Sequence, residues 1–158
     1  MKARHAILVV LAAAVTLASV AAAGPDAAKQ RVVINMKIHP QGTFVLTPLQ
    51  AGPLEGDSGK ISSNWTSIPG RKVMRDGQDV TIYNGAVTTL TGKRGTLTIR
   101  DRNEWVAVEL GEDMVAIGTW RVVRGTGQYA GIFGKGRNAH VGLGSPWYAR
   151  YEGFLSVP

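Results

Sequence analysis

The sequence predicts a nearly all-β domain that folds as one small antiparallel barrel, and three observations support this prediction. Apolar side chains alternate with polar ones along most of the chain after residue 31, which is the pattern of strands with one buried face. Glycines fall mostly between the alternating segments, where turns are expected. The apolar residues show no helical spacing beyond residue 24. A closed barrel is favoured over a sandwich because closure leaves no exposed strand edges.

The first 23 residues have the features of a secretory leader. Lys2 and Arg4 precede an apolar run at residues 6–18, and small residues follow, ending in Ala21-Ala22-Ala23. This order is typical of a cleaved signal peptide, so we expect cleavage after Ala23 and a secreted or periplasmic barrel domain at 24–158. The alternative is a retained membrane anchor, but a spanning helix needs about 20 apolar residues and this run is shorter. No transmembrane segment is expected after cleavage.

Composition restricts both the means of stabilisation and the partners. The chain has 158 residues, no cysteine and a formal net charge of +7. One domain of this size is expected, and packing and sheet hydrogen bonds must stabilise it without disulfides. The basic residues are scattered along the sequence, whereas nucleic-acid binding favours a clustered stripe with stacking aromatics. We therefore expect a solvated basic surface and no nucleic-acid partner.

The predicted strands follow one another at short intervals. The alternation is clearest at residues 32–39, 43–47, 60–66, 79–83, 96–100, 105–109 and 119–123. Two closing strands are expected at residues 136–141 and 148–155. In the segment at 105–109, the alternation places Val106 and Val108 on the buried face and Trp105 on the opposite one.

Turn residues separate these segments. Asp76-Gly77, Asn84-Gly85 and residues 111–113 are predicted as turns, because glycine beside Asp or Asn favours tight reversals of the chain. Residues 51–59 contain glycine, proline and acidic residues. They are predicted as a long loop at a mouth of the barrel.

A glycine-rich segment at residues 118–137 invites comparison with nucleotide-binding loops. A phosphate loop would need Ser or Thr after Lys135, but Gly136 stands there. Gly125, Gly127 and Ala130 fit an alanine-ending dinucleotide fingerprint by letter. Both motifs require a helix afterwards, and a further strand is expected instead. The segment is therefore predicted as a strand followed by a tight turn in which both glycines adopt conformations open mainly to glycine, and no cofactor is expected.

At this point the sequence resembles the allene oxide cyclase barrel-like group, which is related to dirigent proteins. The matching motifs are Gly-Thr-Gly-x-Tyr-Ala-Gly at 125–131, Gly-x-Gly-Arg at 134–137 and Tyr-Glu-Gly at 151–153. The resemblance covers residues 81–155 well and the first strands only by pattern. It implies a single eight-stranded antiparallel β-barrel with a ligand cavity, often as a homo-oligomer, and it is not specific for activity.

The first predicted strand departs from that family's enzymes. In the plant cyclases an acidic residue on this strand helps to drive the chemistry on a fatty-acid epoxide. Residues 31–38 here read Arg-Val-Val-Ile-Asn-Met-Lys-Ile and contain no carboxylate. Cyclase activity is therefore not carried over, and the catalytic residues are unknown.

Other polar residues give no clear site. His39 and His140, the two histidines after residue 23, have no acidic cluster near them in the sequence, so surface or loop positions and no metal are expected. Glu55, Asp57 and the acidic pair at 112–113 are too few and too far apart for a calcium loop. Serine residues lack an evident base, which disfavours a hydrolase.

The aromatic residues supply the candidate ligand-binding set. Alternation places Trp65, Trp120, Phe44 and Tyr151 on the inward faces of their strands. Arg121 should face water, which turns Trp120 inward. These rings either fill a solid core or line an apolar pocket with polar groups at its mouth.

Three hypotheses for function follow. The first is a secreted barrel that binds a small, mostly apolar ligand. The second is a cyclase or isomerase on the same barrel that acts by confining a reactive substrate. The third is an interaction protein with a filled core. A cavity with an ionisable side chain would favour the enzyme, a cavity without one would favour binding, and a solid interior would favour the interaction protein.

Overall fold

The computed structural model describes residues 28–38, 42–107, 114–142 and 145–158. Both the predicted leader and the turn predicted at 111–113 lie outside the described residues. Within the described ranges the chain forms nine strands and two short 3-10 helices. The strands are β1 (Ala28–Lys37), β2 (Thr43–Pro48), β3 (Asp57–Ser63), β4 (Arg71–Arg75), β5 (Gln78–Gly92), β6 (Gly95–Ala107), β7 (Met114–Gly125), β8 (Phe133–Gly142) and β9 (Tyr148–Val157).

Eight of these strands close into an antiparallel ring, which confirms the predicted fold class. The order around the ring is β3-β2-β1-β9-β8-β7-β6-β5, and pairing of β3 with β5 closes it. β4 stands outside the ring and pairs with the first part of β5. Closure pairs the edges that an open sheet would expose. The described residues contain no helix with the length and apolar content of a membrane span.

One end of the ring is plugged by side chains from its connecting loops. Leu54, Tyr129 and Ile132 are buried there in the main core. Asp57 accepts a hydrogen bond from the Tyr129 hydroxyl at 3.1 Å, and Gln30 bonds the backbone of Leu54. The loop predicted at 51–59 ends earlier than expected, because β3 already begins at Asp57. It closes this end, opposite the cavity described below.

Two dipeptides that end in glycine were predicted as turns, and the structure confirms only one of them. Asp76-Gly77 joins β4 to β5 with positive φ angles of 50° and 79°, as a two-residue hairpin turn requires. Asn84-Gly85 is not a turn. It lies inside β5 as a bulge, with a register shift against β6 and φ of 96° at Gly85. The bulge lets one long strand continue through residues that resemble a chain reversal.

The glycines after β7 are constrained in two ways. Gly127 has φ of 59°, as predicted, and begins the 3-10 helix Gly127–Tyr129. Gly125 does not have a positive φ. Its constraint is space, because a Cβ there would overlap the Tyr129 carbonyl oxygen.

We expect Gly125→Val and Gly127→Val each to lower the free energy of unfolding by at least about 1 kcal/mol. The first substitution would force the plug residue Tyr129 to move, and the second would strain the backbone. Thermal melts measure the effect, and Gly56→Val, at an exposed loop glycine with more room for a Cβ, is the control. Melts of both variants that match the parent would contradict this account of the turn.

Candidate functional site

The end of the barrel opposite the plug contains a small cavity. Its volume is about 30 Å³, enough for one or two water molecules. Aliphatic side chains, four large aromatic rings and a group of buried polar side chains surround it. The lining residues are Met36, Ile38, Ile61, Ser63, Trp65, Tyr83, Ala86, Thr88, Asp101, Asn103, Trp105, His140, Trp147 and Tyr151.

Four of these residues, Trp65, Tyr83, Trp105 and Trp147, form what we call the aromatic wall. The three indoles contact one another in a triangle, with ring centroids separated by 5.6 to 6.3 Å. Tyr83 meets Trp105 edge-on at 6.4 Å. Trp105 is buried, whereas Trp65 and Trp147 are only partly buried at the rim. The rim indoles therefore have one side toward solvent.

Strand β6 supplies much of the site, and its phase differs from the sequence prediction. Trp105 was expected to face away from Val106, on the outer side, but it is 7% exposed and lines the cavity. The inward phase set by Leu97 and Ile99 continues unbroken through Asp101, Asn103 and Trp105. Polar residues at two inward positions conceal this continuity in the sequence, because alternation is recognised by apolar side chains.

Below the wall lies a buried polar cluster, which we call the polar floor: Asp101, Asn103, Asn138, His140 and Tyr151. The Tyr151 hydroxyl donates to Asp101 Oδ2 at 2.6 Å, the shortest contact in the group. His140 Nε2 lies 3.4 Å from both the Tyr151 hydroxyl and Asn138 Nδ2. Each of these side chains is at most 7% exposed. The floor is thus a connected network inside the barrel.

Sheet register explains how these residues meet. Asn103 on β6, Gly118 on β7, Asn138 on β8 and Tyr151 on β9 lie directly opposite one another in adjacent strands. They form one inward layer of the barrel. A Cβ at Gly118 would overlap Asn103 Oδ1 and would lie 2.6 Å from Asn138 Oδ1. The glycine leaves the room that these two amides occupy.

Several atoms of the floor have no hydrogen-bond partner among the described residues. They are Asp101 Oδ1, Asn103 Oδ1, Asn138 Oδ1 and His140 Nδ1. Three of them are oxygens: the two amide oxygens always act as acceptors, and Asp101 Oδ1 can act only as an acceptor when the carboxyl group is ionised. Buried polar groups are normally paired, and leaving one unpaired costs about 1–3 kcal/mol. Three of these four residues, Asp101, Asn103 and His140, also line the cavity.

Burial perturbs the pKa of each titratable group in the floor. Desolvation raises the pKa of Asp101, while hydrogen bonds from the Tyr151 and Asn103 side chains oppose the rise. Burial lowers the pKa of His140 to about 4. Burial and the neighbouring Asp101 carboxyl raise the pKa of Tyr151 well above its ordinary value. At neutral pH the floor thus holds a neutral imidazole and a neutral phenol beside a carboxyl group that favours protonation more than usual.

The four predicted ligand-binding residues do not all lie together. Tyr151 and Trp65 line the cavity, Tyr151 in the floor and Trp65 in the 3-10 helix Trp65–Ser67 that follows β3. Phe44 and Trp120 face inward, as predicted, but they lie in the packed core and not in the cavity lining. Trp105 and Trp147, which the sequence interpretation did not select, complete the aromatic wall.

The histidine prediction is corrected at one position. His140 was expected on the surface or in a loop, but it lies inside the barrel on β8, with its ring 5.4 Å from that of Trp105. The even-numbered inward phase of β8, shared with Asn138, could have revealed it. His39 lies outside the described residues. In the described ranges, no three His, Asp or Glu side chains are grouped as metal ligands.

Comparisons with family models, with curated proteins and with solved structures found no match. The resemblance to the allene oxide cyclase barrel-like group therefore remains an expectation from the sequence motifs.

Proposed function

We propose that the protein binds a small, mostly apolar molecule at the open end of the barrel, and that this molecule carries at least one hydrogen-bond donor. The aromatic wall supplies apolar surface for a flat or ring-shaped skeleton. The polar floor supplies acceptors for a hydroxyl, an amine or an N–H group. The observation that carries the proposal is that Asp101 and Asn103 line the cavity and each has a buried oxygen without a hydrogen-bond partner among the described residues.

The size of the cavity defines how binding would occur. A space of about 30 Å³ holds water but not an organic molecule. Trp65, Tyr83 and Trp147 are partly buried, whereas Trp105 is buried. Displacement of the two rim indoles, Trp65 and Trp147, therefore opens the site at less cost in buried surface than displacement of Trp105. Binding should therefore change tryptophan fluorescence.

A matched pair of probes tests the requirement for a donor. 2-Naphthol and 2-methoxynaphthalene have the same aromatic skeleton, but only 2-naphthol donates a hydrogen bond. We expect 2-naphthol to bind at least about tenfold more tightly in fluorescence titrations, because the ether leaves a buried acceptor unpaired. Equal affinities, or no binding of either probe, would contradict the proposal.

Asn103→Leu provides the corresponding protein variant. It removes the unpaired Oδ1 and, with it, the hydrogen bond from the Asn103 side chain to Asp101. The two effects oppose each other, so the free energy of unfolding should change by no more than about 1.5 kcal/mol. The substitution should also reduce the preference for 2-naphthol. Phe44→Leu, in the core outside the cavity lining, is the control: it should lower stability while the preference for 2-naphthol stays unchanged. If Asn103→Leu keeps the full preference for 2-naphthol over 2-methoxynaphthalene, Asn103 does not accept the ligand's hydrogen bond.

A second candidate is the cyclase or isomerase hypothesis, which Asp101 and Tyr151 favour. A carboxyl group with a raised pKa, hydrogen-bonded to a phenol in a desolvated pocket, is suited to moving a proton to or from a confined substrate. Asp101→Asn keeps the shape of the side chain and removes the ionisable group. Because the Tyr151 hydroxyl needs an acceptor at Oδ2, the new amide NH2 replaces the unpaired Oδ1, so 2-naphthol affinity should fall whether the site binds or catalyses. Chemical conversion of a bound molecule that is lost in Asp101→Asn and kept in Asn103→Leu would favour the enzyme.

Secretion is proposed from the leader sequence alone. Export with cleavage after Ala23 would place Gly24 at the N-terminus of the mature protein. N-terminal sequencing of protein recovered from culture fluid or periplasm tests this, and an intact Met1 would refute it.

A further inference from the structure

The outer face of the barrel carries a second recess, separate from the cavity. It is a groove of about 1010 Å³ between side chains of β1, β5, β6, β7, β8 and β9. Six of its lining residues are cationic and exposed: Arg31, Arg100, Arg102, Arg121, Lys135 and Arg137. The two acidic residues beside it have other partners, because Glu152 bonds Arg150 at 2.6 Å and Asp101 bonds Tyr151 inside the barrel.

Strand register gathers cations that are dispersed in the sequence. Arg100 on β6 lies directly opposite Arg121 on β7, which lies opposite Lys135 on β8. Phe154 on β9 continues the row, and Arg31 on β1 ends it. The sequence shows scattered basic residues, but the fold places them in a row across five adjacent strands.

This row is unfavourable for folding. Like charges at directly opposed positions of an antiparallel pair are destabilising. Within the described residues, Arg102 pairs with Glu104, whereas Arg31, Arg100, Arg121, Lys135 and Arg137 form no salt bridge. Residues that break a local rule of sheet stability without compensation in the fold point to function.

We infer that this groove binds a linear acidic polysaccharide. Its concave form suits a chain better than the flat surface of a bilayer, which would reach only the rim. Four of the five unpaired cations are arginines, whose planar guanidinium groups accommodate carboxylate and sulfate oxygens in pairs. Phe154 is the aromatic side chain exposed in the groove, so it offers no series of rings on which successive nucleic-acid bases could stack.

Binding of defined polymers to charge-matched variants tests the inference. The probes are heparin and polygalacturonate as acidic polysaccharides, dextran as a neutral one, oligothymidylate as a nucleic acid, and vesicles of phosphatidylcholine with phosphatidylglycerol. The groove variant is Arg100→Gln with Arg121→Gln and Lys135→Gln. The control variant, Lys60→Gln with Arg71→Gln and Lys72→Gln, makes the same change in net charge at exposed positions of β3 and β4.

The parent should bind both acidic polysaccharides, with affinity that falls as salt rises, and should not bind dextran. The groove variant should lose about tenfold in affinity, as expected for three exposed ionic contacts, and should melt at the same temperature as the parent or higher. The control variant should lose less than about threefold. Equal losses in the two variants would show a diffuse charge effect and overturn the inference. Tighter binding of oligothymidylate or of the vesicles would overturn it in favour of those partners.

Discussion

Replacing Trp120 with alanine should destabilise the barrel by about 3–5 kcal/mol, the range for removing a large buried aromatic side chain. Trp120 is 2% exposed and packs in the main core. Its indole Nε1 donates to the Arg137 and Glu152 carbonyl oxygens at 3.1 and 3.2 Å. Gly136 and Gly153 make room for the ring, since a Cβ at either would lie within 2.8 Å of it. Removing the indole leaves a void, and the adjacent glycines on β8 and β9 have no side chains that could move in to fill it.

Trp147→Ala is the matched comparison. This indole is only partly buried and lines the cavity, so its loss should cost less stability and should change the affinity for 2-naphthol more. Urea unfolding and fluorescence titration of both variants measure the two effects. A stability loss below about 1 kcal/mol for Trp120→Ala would contradict its assignment to the core. A larger effect of Trp120→Ala than of Trp147→Ala on 2-naphthol binding would place Trp120 in the ligand site.

The second large effect is a loss of stability in mild acid caused by His140. Burial lowers its pKa to about 4 in the folded protein, whereas an unfolded chain has a histidine pKa of about 6.5. The unfolded state therefore binds more protons between these values, and stability falls as the pH falls. The difference of about 2.5 pKa units corresponds to about 3 kcal/mol, lost progressively from about pH 6.5 to pH 4. Below pH 4 this group causes no further loss.

Asp101 acts in the opposite direction. Its raised pKa favours the protonated carboxyl in the fold, so its contribution to stability is largest at low pH and is lost as the pH rises through the folded pKa. Comparing the parent with His140→Gln isolates the histidine, because both proteins retain Asp101 and every other carboxyl group. The difference between their free energies of unfolding should change by about 3 kcal/mol between pH 7 and pH 4. If the free energies of unfolding of the two proteins change equally with pH, the pKa of His140 is the same in the folded and unfolded protein, which would contradict the prediction.

The fold follows from the sequence wherever apolar residues mark one face of a strand. Alternation correctly turns Phe44, Trp120 and Tyr151 inward and Arg121 outward. It fails at Gly85, because a bulge and a hairpin turn both require glycine with positive φ and look alike in sequence. The pairing of β3 with β5 that closes the ring joins segments far apart in the chain, and no local pattern specifies it.

The candidate site is less visible because it breaks the pattern used to find strands. Asp101, Asn103, Asn138 and His140 occupy inward positions where a barrel normally holds apolar side chains. If the inward alternation of β6 is continued from Leu97 and Ile99, it places Asp101 and Asn103 inside the barrel. The same continuation turns Trp105 inward, which corrects the prediction that it faces outward. The outer row of cations depends on the register between strands, which the sequence does not display.

Native mass spectrometry of the purified protein shows whether the barrel holds a small molecule. If the barrel holds a small donor-bearing molecule at its polar floor, the parent should retain a discrete bound mass, or should acquire one with 2-naphthol and not with 2-methoxynaphthalene. Asn103→Leu should reduce that occupancy, and Phe44→Leu should not. A parent that carries no small molecule from its source and takes up neither probe would contradict the proposed binding function and favour an interaction protein with a filled interior.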